Sequence, residues 1–329
     1  MRTTGGNAMA HAGFPRRRLL TRGLALAGGT LLLGAGAGSG TSTVEEPPSI
    51  LDCDAWGARP PSSPVRIWDQ RPVKILVHHT ATENVVDLST EAGIALARAI
   101  QTFHMDHRGW LDTGQHFTIS RGGLVLEGRH RSLEVLRAGH QQVEGAHCTG
   151  QNVVAVGIEN EGTYLDVLPP RPLWDRLRET CAVICCQYDI APTQLYGHRD
   201  FKDTACPGDR LYGELPRLRS EVAALMGRRI EALESSPPRW PLLRTGDRGP
   251  AVRAAQHLLR VPVSGSYDVR TADAVRRFQN THGTEEVNGI LGGETWPLLV
   301  ATSSDGSAVL RAAGITPPEP TPTDPAGAR

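Results

Sequence analysis

The sequence predicts an α/β fold, in which helices flank a mixed central β-sheet, followed by a smaller helical domain. Short apolar runs rich in β-branched residues and bounded by glycines are typical of strands. Segments with apolar residues at helical spacing lie between and after these runs. Strands that alternate with helices favour a sheet covered by helices. After Glu231 the turn-forming Ser235-Ser236-Pro237-Pro238 indicates a linker to a second domain.

Four segments carry the strand pattern: residues 73–77, 116–120, 124–127 and 153–159. The second and third flank Ser120-Arg121-Gly122-Gly123-Leu124, a predicted hairpin turn, because paired glycines tolerate the positive φ that such turns need. Three segments carry the helical pattern: residues 90–107, 173–188 and 215–226. A mixed sheet with helices packed against it follows from this order of elements.

The second domain shows one clear helix start. Asp268 and Thr271 are spaced like capping residues, and Ala274, Val275 and Phe278 form the apolar stripe that would follow. From residue 316 a tail rich in proline and threonine is expected to be disordered.

Two segments about a hundred residues apart carry candidate metal chemistry. One apolar strand ends in His78-His79, and a glycine-bounded segment holds His198 and Cys206. Imidazole and thiolate are common zinc ligands, and three protein ligands leave a fourth position open for water. No CxxC or HxxxH spacing supplies a fourth ligand, so the pattern favours a catalytic metal over a structural one. Taken singly, each residue could instead be an ordinary packed histidine or a small buried cysteine.

Charge and the N-terminus bear on the compartment. The chain has 35 Lys and Arg residues and 35 Asp and Glu residues, so its formal net charge is zero. We therefore do not expect the excess of positive charge that nucleic-acid binding needs. Arg16-Arg17-Arg18-Leu19-Leu20 precedes a glycine-rich apolar run that ends in Ala35-Gly36-Ala37. This pattern predicts a Tat-type signal peptide over residues 1–37. The run is shorter than the ~20 residues of a membrane span, so we expect secretion with no stable membrane insertion.

Six cysteines are present, and Cys206 is a candidate ligand. The other five are Cys53, Cys148, Cys181, Cys185 and Cys186. An odd number allows at most two disulfides and leaves one thiol. Reduced thiols in the core are the equal alternative.

Five motifs occur in order between Trp56 and about Leu218. The matching stretch begins with Trp56-Gly57-Ala58-Arg59-Pro60. The five motifs that follow are Val77-His78-His79-Thr80-Ala81, Arg108-Gly109-Trp110-Leu111-Asp112, Gly145-Ala146-His147, Val156-Gly157-Ile158-Glu159 and Gly197-His198-Arg199-Asp200. With these motifs the chain resembles the peptidoglycan recognition protein and type-2 N-acetylmuramoyl-L-alanine amidase superfamily. The resemblance implies Zn²⁺ bound by His78, His198 and Cys206. It also implies a secreted, cell-wall-associated amidase that hydrolyses the lactyl–L-alanine bond of peptidoglycan with zinc-activated water.

The resemblance assigns further roles at the site. Glu159 matches a catalytic glutamate of bacterial relatives and is expected to act as general base, although orienting a ligand histidine is a rival role. Gln115 stands where phage and animal relatives carry a tyrosine. Glutamine cannot exchange a proton, so we expect Gln115 only to position the nucleophile. Thr204 faces the scissile carbonyl in relatives and could stabilise an oxyanion, or simply bond local backbone. His147 is expected to bind substrate.

The C-terminal part resembles the peptidoglycan-binding domain 1 family, a small three-helix module. The matching residues run from Gly246-Asp247-Arg248-Gly249 to Thr295-Trp296. The expected organisation is a signal peptide (1–37), an amidase domain (50–227), a linker (228–239), a peptidoglycan-binding domain (240–300) and a disordered tail (301–329). Two other functions stay open: a non-catalytic peptidoglycan-binding protein with structural zinc, and a zinc peptidase that cleaves the stem peptide.

Overall fold

The computed structural model describes residues 48–231 and 236–323, which belong to one compact unit. The predicted signal peptide (1–37) and part of the predicted linker lie outside the described residues. None of the helices in the described ranges is both long and apolar enough to cross a membrane.

The amidase-like part is built on a six-stranded mixed sheet. The strands in chain order are β1 (Ile50–Leu51), β2 (Ile67–Trp68), β3 (Lys74–His79), β4 (Phe117–Ile119), β5 (Val125–Glu127), β6 (Gln142–Val143), β7 (Ala155–Asn160) and β8 (Leu195–Gly197). The order across the sheet is β1-β5-β4-β7-β3-β8, and only the β4–β5 pair is antiparallel. Strands β2 and β6 form a separate antiparallel pair. The four predicted strands correspond to β3, β4, β5 and β7, so the mixed sheet is confirmed.

Helices cover both faces of this sheet. They are α1 (Cys53–Trp56), α2 (Thr90–Thr102), α3 (Ser132–Ala138), α4 (Arg171–Tyr188), α5 (Asp209–Gly213) and α6 (Leu215–Leu225). Every residue of β3 is buried, as expected for a parallel strand covered on both faces. Helix α2 begins where Ser89 Oγ accepts a hydrogen bond from Ala92 N at 3.2 Å.

The predicted helix over residues 90–107 changes character near its end. Residues Phe103–His107 form a π-helical turn directly after α2. In this turn His104 Nδ1 accepts a hydrogen bond from Gly114 N at 3.1 Å. Apolar spacing predicted the helical segment but not the wider turn, because a single turn is too short for its period to be read.

The C-terminal helices are α7 (Pro250–Leu258), α8 (Val269–His282), α9 (Thr295–Ala301) and α10 (Gly306–Ala312). They enclose their own apolar core, which includes Val252, Tyr267, Trp296 and Leu310. The all-α class is confirmed, with α10 as a fourth helix beyond the expected three. The expected disorder over 301–329 is therefore wrong for residues 306–312, because Leu310, only 1% exposed, packs into this core.

The six cysteines are all free thiols, and five of them are buried. Cys181 and Cys185 belong to the buried stripe of α4, and burial raises the pKa of both thiols. The reduced alternative therefore describes this structure, since the thiols act as small apolar side chains of the core.

Candidate metal centre and catalytic site

The candidate ligands meet where parallel strands end at one edge of the sheet. His78 is the fifth residue of β3, and β8 runs parallel beside β3 with Gly197 opposite Val77. His198 follows Gly197 directly, so it leaves the sheet beside His78. Residues 198–206, the metal loop, then return Cys206 to the same edge, closed by a hydrogen bond from Arg199 N to Cys206 O at 3.1 Å.

The ligand atoms of His78, His198 and Cys206 lie within 4.8 Å of one another. Cys206 Sγ is 3.8 Å from His78 Nδ1, and the two imidazole centroids are 4.5 Å apart. Ligand atoms around a tetrahedral zinc ion are roughly 3.3–3.7 Å apart, as its bond lengths require. A small contraction would thus complete three corners of such a site. Two imidazoles and one thiolate are a donor set that zinc favours.

Burial sets the protonation of these groups. It lowers the pKa of His198 to about 4 and that of His78 well below its usual value, so both imidazoles are neutral near pH 7. Neutral imidazole is the form that binds a metal. Burial raises the pKa of the Cys206 thiol, so metal binding there would release a proton. His79 N also donates to Cys206 Sγ at 3.4 Å, which holds the sulfur in place.

His147 contacts the metal centre from the side. Its Nδ1 lies 3.1 Å from His78 Nε2, and its Nε2 lies 3.3 Å from the carbonyl oxygen of Ala155. A carbonyl only accepts, so His147 Nε2 carries the hydrogen and its Nδ1 accepts from His78 Nε2. His78 Nδ1, which faces Cys206, is then unprotonated. His147 therefore holds the candidate ligand His78 in a tautomer that could bind a metal, and its expected contact with substrate stays a prediction.

Glu159 lies beside His78 in the β3–β7 register, on the same face of the sheet. Its side chain is partly buried, and Oε2 is a buried atom without a hydrogen-bond partner. Burial raises the pKa of this carboxyl to about 8. The group thus lies beside the candidate ligand His78, has a buried oxygen without a hydrogen-bond partner, and holds a proton more tightly than an exposed carboxyl does.

Thr204 lies in the metal loop next to the candidate ligand Cys206, whereas Gln115 is connected to the site only through another side chain. Thr204 Oγ1 accepts from Cys206 N at 3.2 Å, which leaves its own hydrogen free to be donated. Gln115 is 1% exposed, and its Nε2 donates to Thr118 Oγ1 at 2.8 Å. Thr118 is opposite Glu159 in the β4–β7 register, so Gln115 reaches the site through Thr118.

Asp112 of the Arg-Gly-Trp-Leu-Asp motif has a structural place that the sequence did not reveal. Its carboxylate accepts from Gln101 Nε2 at 3.0 Å, and from His130 N and Nδ1 at 2.8 and 2.9 Å. Asp112 is fully buried. It therefore ties the loop before β4 to α2 and to the segment after β5.

Comparisons with known proteins match both parts of this chain. A family model described as N-acetylmuramoyl-L-alanine amidase matches residues 68–209, and one described as a putative peptidoglycan binding domain matches residues 248–299. Peptidoglycan-recognition protein LB of Drosophila melanogaster is 32% identical over 182 residues, which cover 55% of this chain and 72% of that protein. The human N-acetylmuramoyl-L-alanine amidase is 31% identical over 216 residues, or 62% of this chain and 35% of the relative.

Peptidoglycan recognition protein 1 of Bos taurus is 32% identical over 187 residues, which cover 55% of this chain and 86% of that protein. The solved structure of wild-type Drosophila PGRP-LB shares 33% identity and superposes with a TM-score of 0.45, covering 51% of this chain and 92% of that one. On the shared sequence and its coverage of these relatives, the chain belongs to the family of peptidoglycan recognition proteins and N-acetylmuramoyl-L-alanine amidases.

Proposed function

We propose that the protein is a secreted, zinc-dependent amidase that hydrolyses the bond between the lactyl group of N-acetylmuramic acid and L-alanine. Peptidoglycan is the partner that both matched domains indicate. One observation carries the proposal: the metal-binding atoms of His78, His198 and Cys206 converge beside the unpartnered carboxyl of Glu159. The twin-arginine segment before residue 37 supports export by a Tat-type route.

Zinc held by His78, His198 and Cys206 would supply a Lewis acid that polarises the amide carbonyl and lowers the pKa of the attacking water. Glu159 accepts the proton of that water at Oε2 and then delivers it to the departing nitrogen of L-alanine. Burial raises the pKa of Glu159, so its carboxylate is a stronger base than that of an exposed glutamate. The free hydroxyl hydrogen of Thr204 is donated to the oxygen on which negative charge develops.

A peptidoglycan-binding protein without hydrolytic activity is the second candidate. Gln115 favours this candidate, because it stands where phage and animal relatives carry a tyrosine. A glutamine side chain, unlike a tyrosine, cannot exchange a proton. In our proposal Glu159 takes over the proton transfer, and Gln115 orders Thr118 beside it.

Glu159→Gln tests the proposal. The variant should retain stoichiometric zinc by elemental analysis, because no ligand is changed. Its release of new L-alanine amino termini from purified muropeptides should fall roughly 10²–10⁴-fold, since the general base is lost. Glu161→Gln is the matched control: this carboxylate is two residues further on and accepts from Arg121 N at 2.6 Å.

Three results would count against this assignment, each in a different way. A near-normal rate in Glu159→Gln would leave Glu159 only an orienting role. A wild-type protein that binds wall but releases no amino termini would be a recognition protein. New termini other than L-alanine would identify a stem peptidase.

A further inference from the structure

The metal loop carries two of the three ligands, and it lies against the C-terminal helices. Asp203, between His198 and Cys206, is only 1% exposed. The groups that bury it lie in α8, in α9 and in the turn between these helices. They follow Asp203 by 76 to 92 positions along the chain.

The side chain of Asp203 is fully engaged there. Its Oδ1 accepts from Gly292 N at 2.7 Å and from Thr295 N at 3.1 Å. Its Oδ2 accepts from Gln279 Nε2 at 3.2 Å and from Thr295 Oγ1. The backbone oxygen of Asp203 accepts from Asn288 Nδ2 at 2.6 Å. One residue of the metal loop thus receives five hydrogen bonds from the C-terminal module, which comprises helices α7 to α10 and the turns between them.

Neighbouring residues extend this contact. Lys202 Nζ forms ion pairs with Glu285 at 2.8 Å and with Glu294 at 3.1 Å. Gly293 packs directly on the loop backbone, because a Cβ at that position would lie 2.3 Å from Asp200 O. Only glycine permits this approach, so the fit is specific to the loop in its observed conformation.

The contact also completes α9. Glu294 is the N-cap residue of α9, but its side chain makes no hydrogen bond to the first turn of that helix. Asp203 supplies the missing acceptor from the metal loop, as an aspartate N-cap does within one chain segment. A negative charge at a helix N-terminus is favourable, and the donors would lose their partner if the loop moved away. The loop and the start of α9 therefore hold each other.

We propose that Asp203 is a positioning residue through which the C-terminal module holds the metal loop, so that zinc affinity at His198 and Cys206 depends on that module. The inference extends the proposed function, on which its zinc-dependent part rests. The module would then act on the active site itself, in addition to binding the cell wall.

The test uses the full chain with a matched pair of variants on each side of the contact. Asp203→Ala removes the four side-chain bonds between loop and module, and Thr295→Val removes the one donated by Thr295 Oγ1. Asp268→Ala and Thr271→Val are the controls, because Asp268 accepts from Thr271 N and Oγ1 at 2.9 and 2.8 Å within the module alone. Both pairs lose an aspartate–threonine helix cap, but only the first touches the metal loop.

Amide hydrogen exchange of the metal-free protein measures the loop directly. We expect exchange over residues 199–206 to be at least tenfold faster in Asp203→Ala and in Thr295→Val, and unchanged in the controls. Zinc affinity, measured by competition with a chromophoric chelator, should fall at least tenfold in the same two variants. The thiolate-to-metal absorption of the cobalt-substituted protein should shift with it. Asp203→Asn keeps an oxygen for the amides of Gly292 and Thr295, so it should recover most of the affinity.

The proposal is overturned if loop exchange in Asp203→Ala equals that in Asp268→Ala, or if zinc affinity is unchanged while the loop loosens. If Asp203→Ala does not fold, Thr295→Val against its control Thr271→Val decides by the same measurements. A wild-type protein that binds no zinc refutes the proposed function, whereas the exchange comparison still decides whether the module holds the loop.

Discussion

At the scale of single residues, the hydrogen bonds from His78 through His147 to the Ala155 carbonyl determine which imidazole nitrogen faces Cys206. His78 Nδ1 stays free for a metal only while His147 Nδ1 accepts the hydrogen of Nε2. Groups that orient a metal ligand in this way commonly matter 10–100-fold, by order of magnitude, for metal affinity.

His147→Phe keeps an aromatic ring but removes both nitrogens. We expect zinc affinity to fall about 10–100-fold in chelator competition, because His78 is no longer held in one tautomer. His140→Phe is the control, since His140 is exposed and bonds only the nearby Ala138 oxygen. Unchanged affinity with a raised KM for muropeptide would instead assign His147 to substrate binding.

The pair of half-buried His130 and buried Asp112 should make stability depend on pH. The hydrogen bond to Asp112 raises the pKa of His130. A raised pKa in the folded state stabilises below the unfolded value, ~6.5, and this stabilisation is lost as pH rises through the folded pKa. Burial alone would raise the pKa of Asp112, but bonds from His130 and Gln101 bring it below its usual value, so Asp112 remains charged at pH 5.5.

His130→Gln should therefore destabilise the metal-free protein by about 1 kcal/mol at pH 5.5, and by less at pH 8.5. Urea unfolding at the two pH values measures the difference. A loss of stability that is equal at both pH values would show that His130 acts through its neutral hydrogen bonds alone.

At the scale of elements, β7 pairs with β3 and makes room for the His147 ring beside the candidate metal centre. Gly157 lies in β7 opposite Leu76 of β3, and a Cβ there would lie 2.5 Å from His147 Cγ. Glycine in a strand often marks such a close approach, and here it admits the imidazole ring that orients His78.

Gly157→Ala should displace the His147 ring and so weaken zinc binding about tenfold, with a loss of stability of roughly 1–3 kcal/mol from overpacking. Chelator competition and urea unfolding measure the two effects. Gly213→Ala is the control, because nothing lies within 4 Å of its added Cβ at the end of α5. A Gly157→Ala protein with normal zinc affinity would show that the ring position is not critical.

At the scale of the whole molecule, the amidase part and the C-terminal helices meet through charged and polar groups around the metal loop. Lys202 and Asp203 contact the C-terminal helices, and Arg244 pairs with Asp209, the first residue of α5. A flexible tether would raise the local concentration of wall without touching the chemistry. The observed contacts connect the module with the ligand-bearing loop as well.

Calorimetry of the metal-free full chain should accordingly show one cooperative transition. Asp203→Ala should separate it into two, with the C-terminal helices melting first, because their small core loses the cap of α9. Two resolved transitions in the wild-type protein would mean that the interface contributes little to stability.

The sequence by itself determined four of the six strands of the central sheet, the approximate bounds of helices α2, α4 and α6, and the identity of the candidate ligands. Apolar runs and periodic spacing depend on local residue order, as does the pairing of Asp268 with Thr271, which the structure contains as a helix cap. His78, His198 and Cys206 stood out because their residue types and motif positions carry the chemistry, whatever the surrounding packing.

Only the tertiary structure decided what surrounds those ligands. The partners of Asp203 lie up to 92 residues away, and no local pattern marks an acidic loop residue as the cap of a distant helix. The tautomer of His78 depends on the ring of His147, which lies in another loop. Helix α10 is stabilised because Leu310 packs into the C-terminal core. Such contacts arise when separate elements pack together, so their physical cause is long-range burial rather than local sequence.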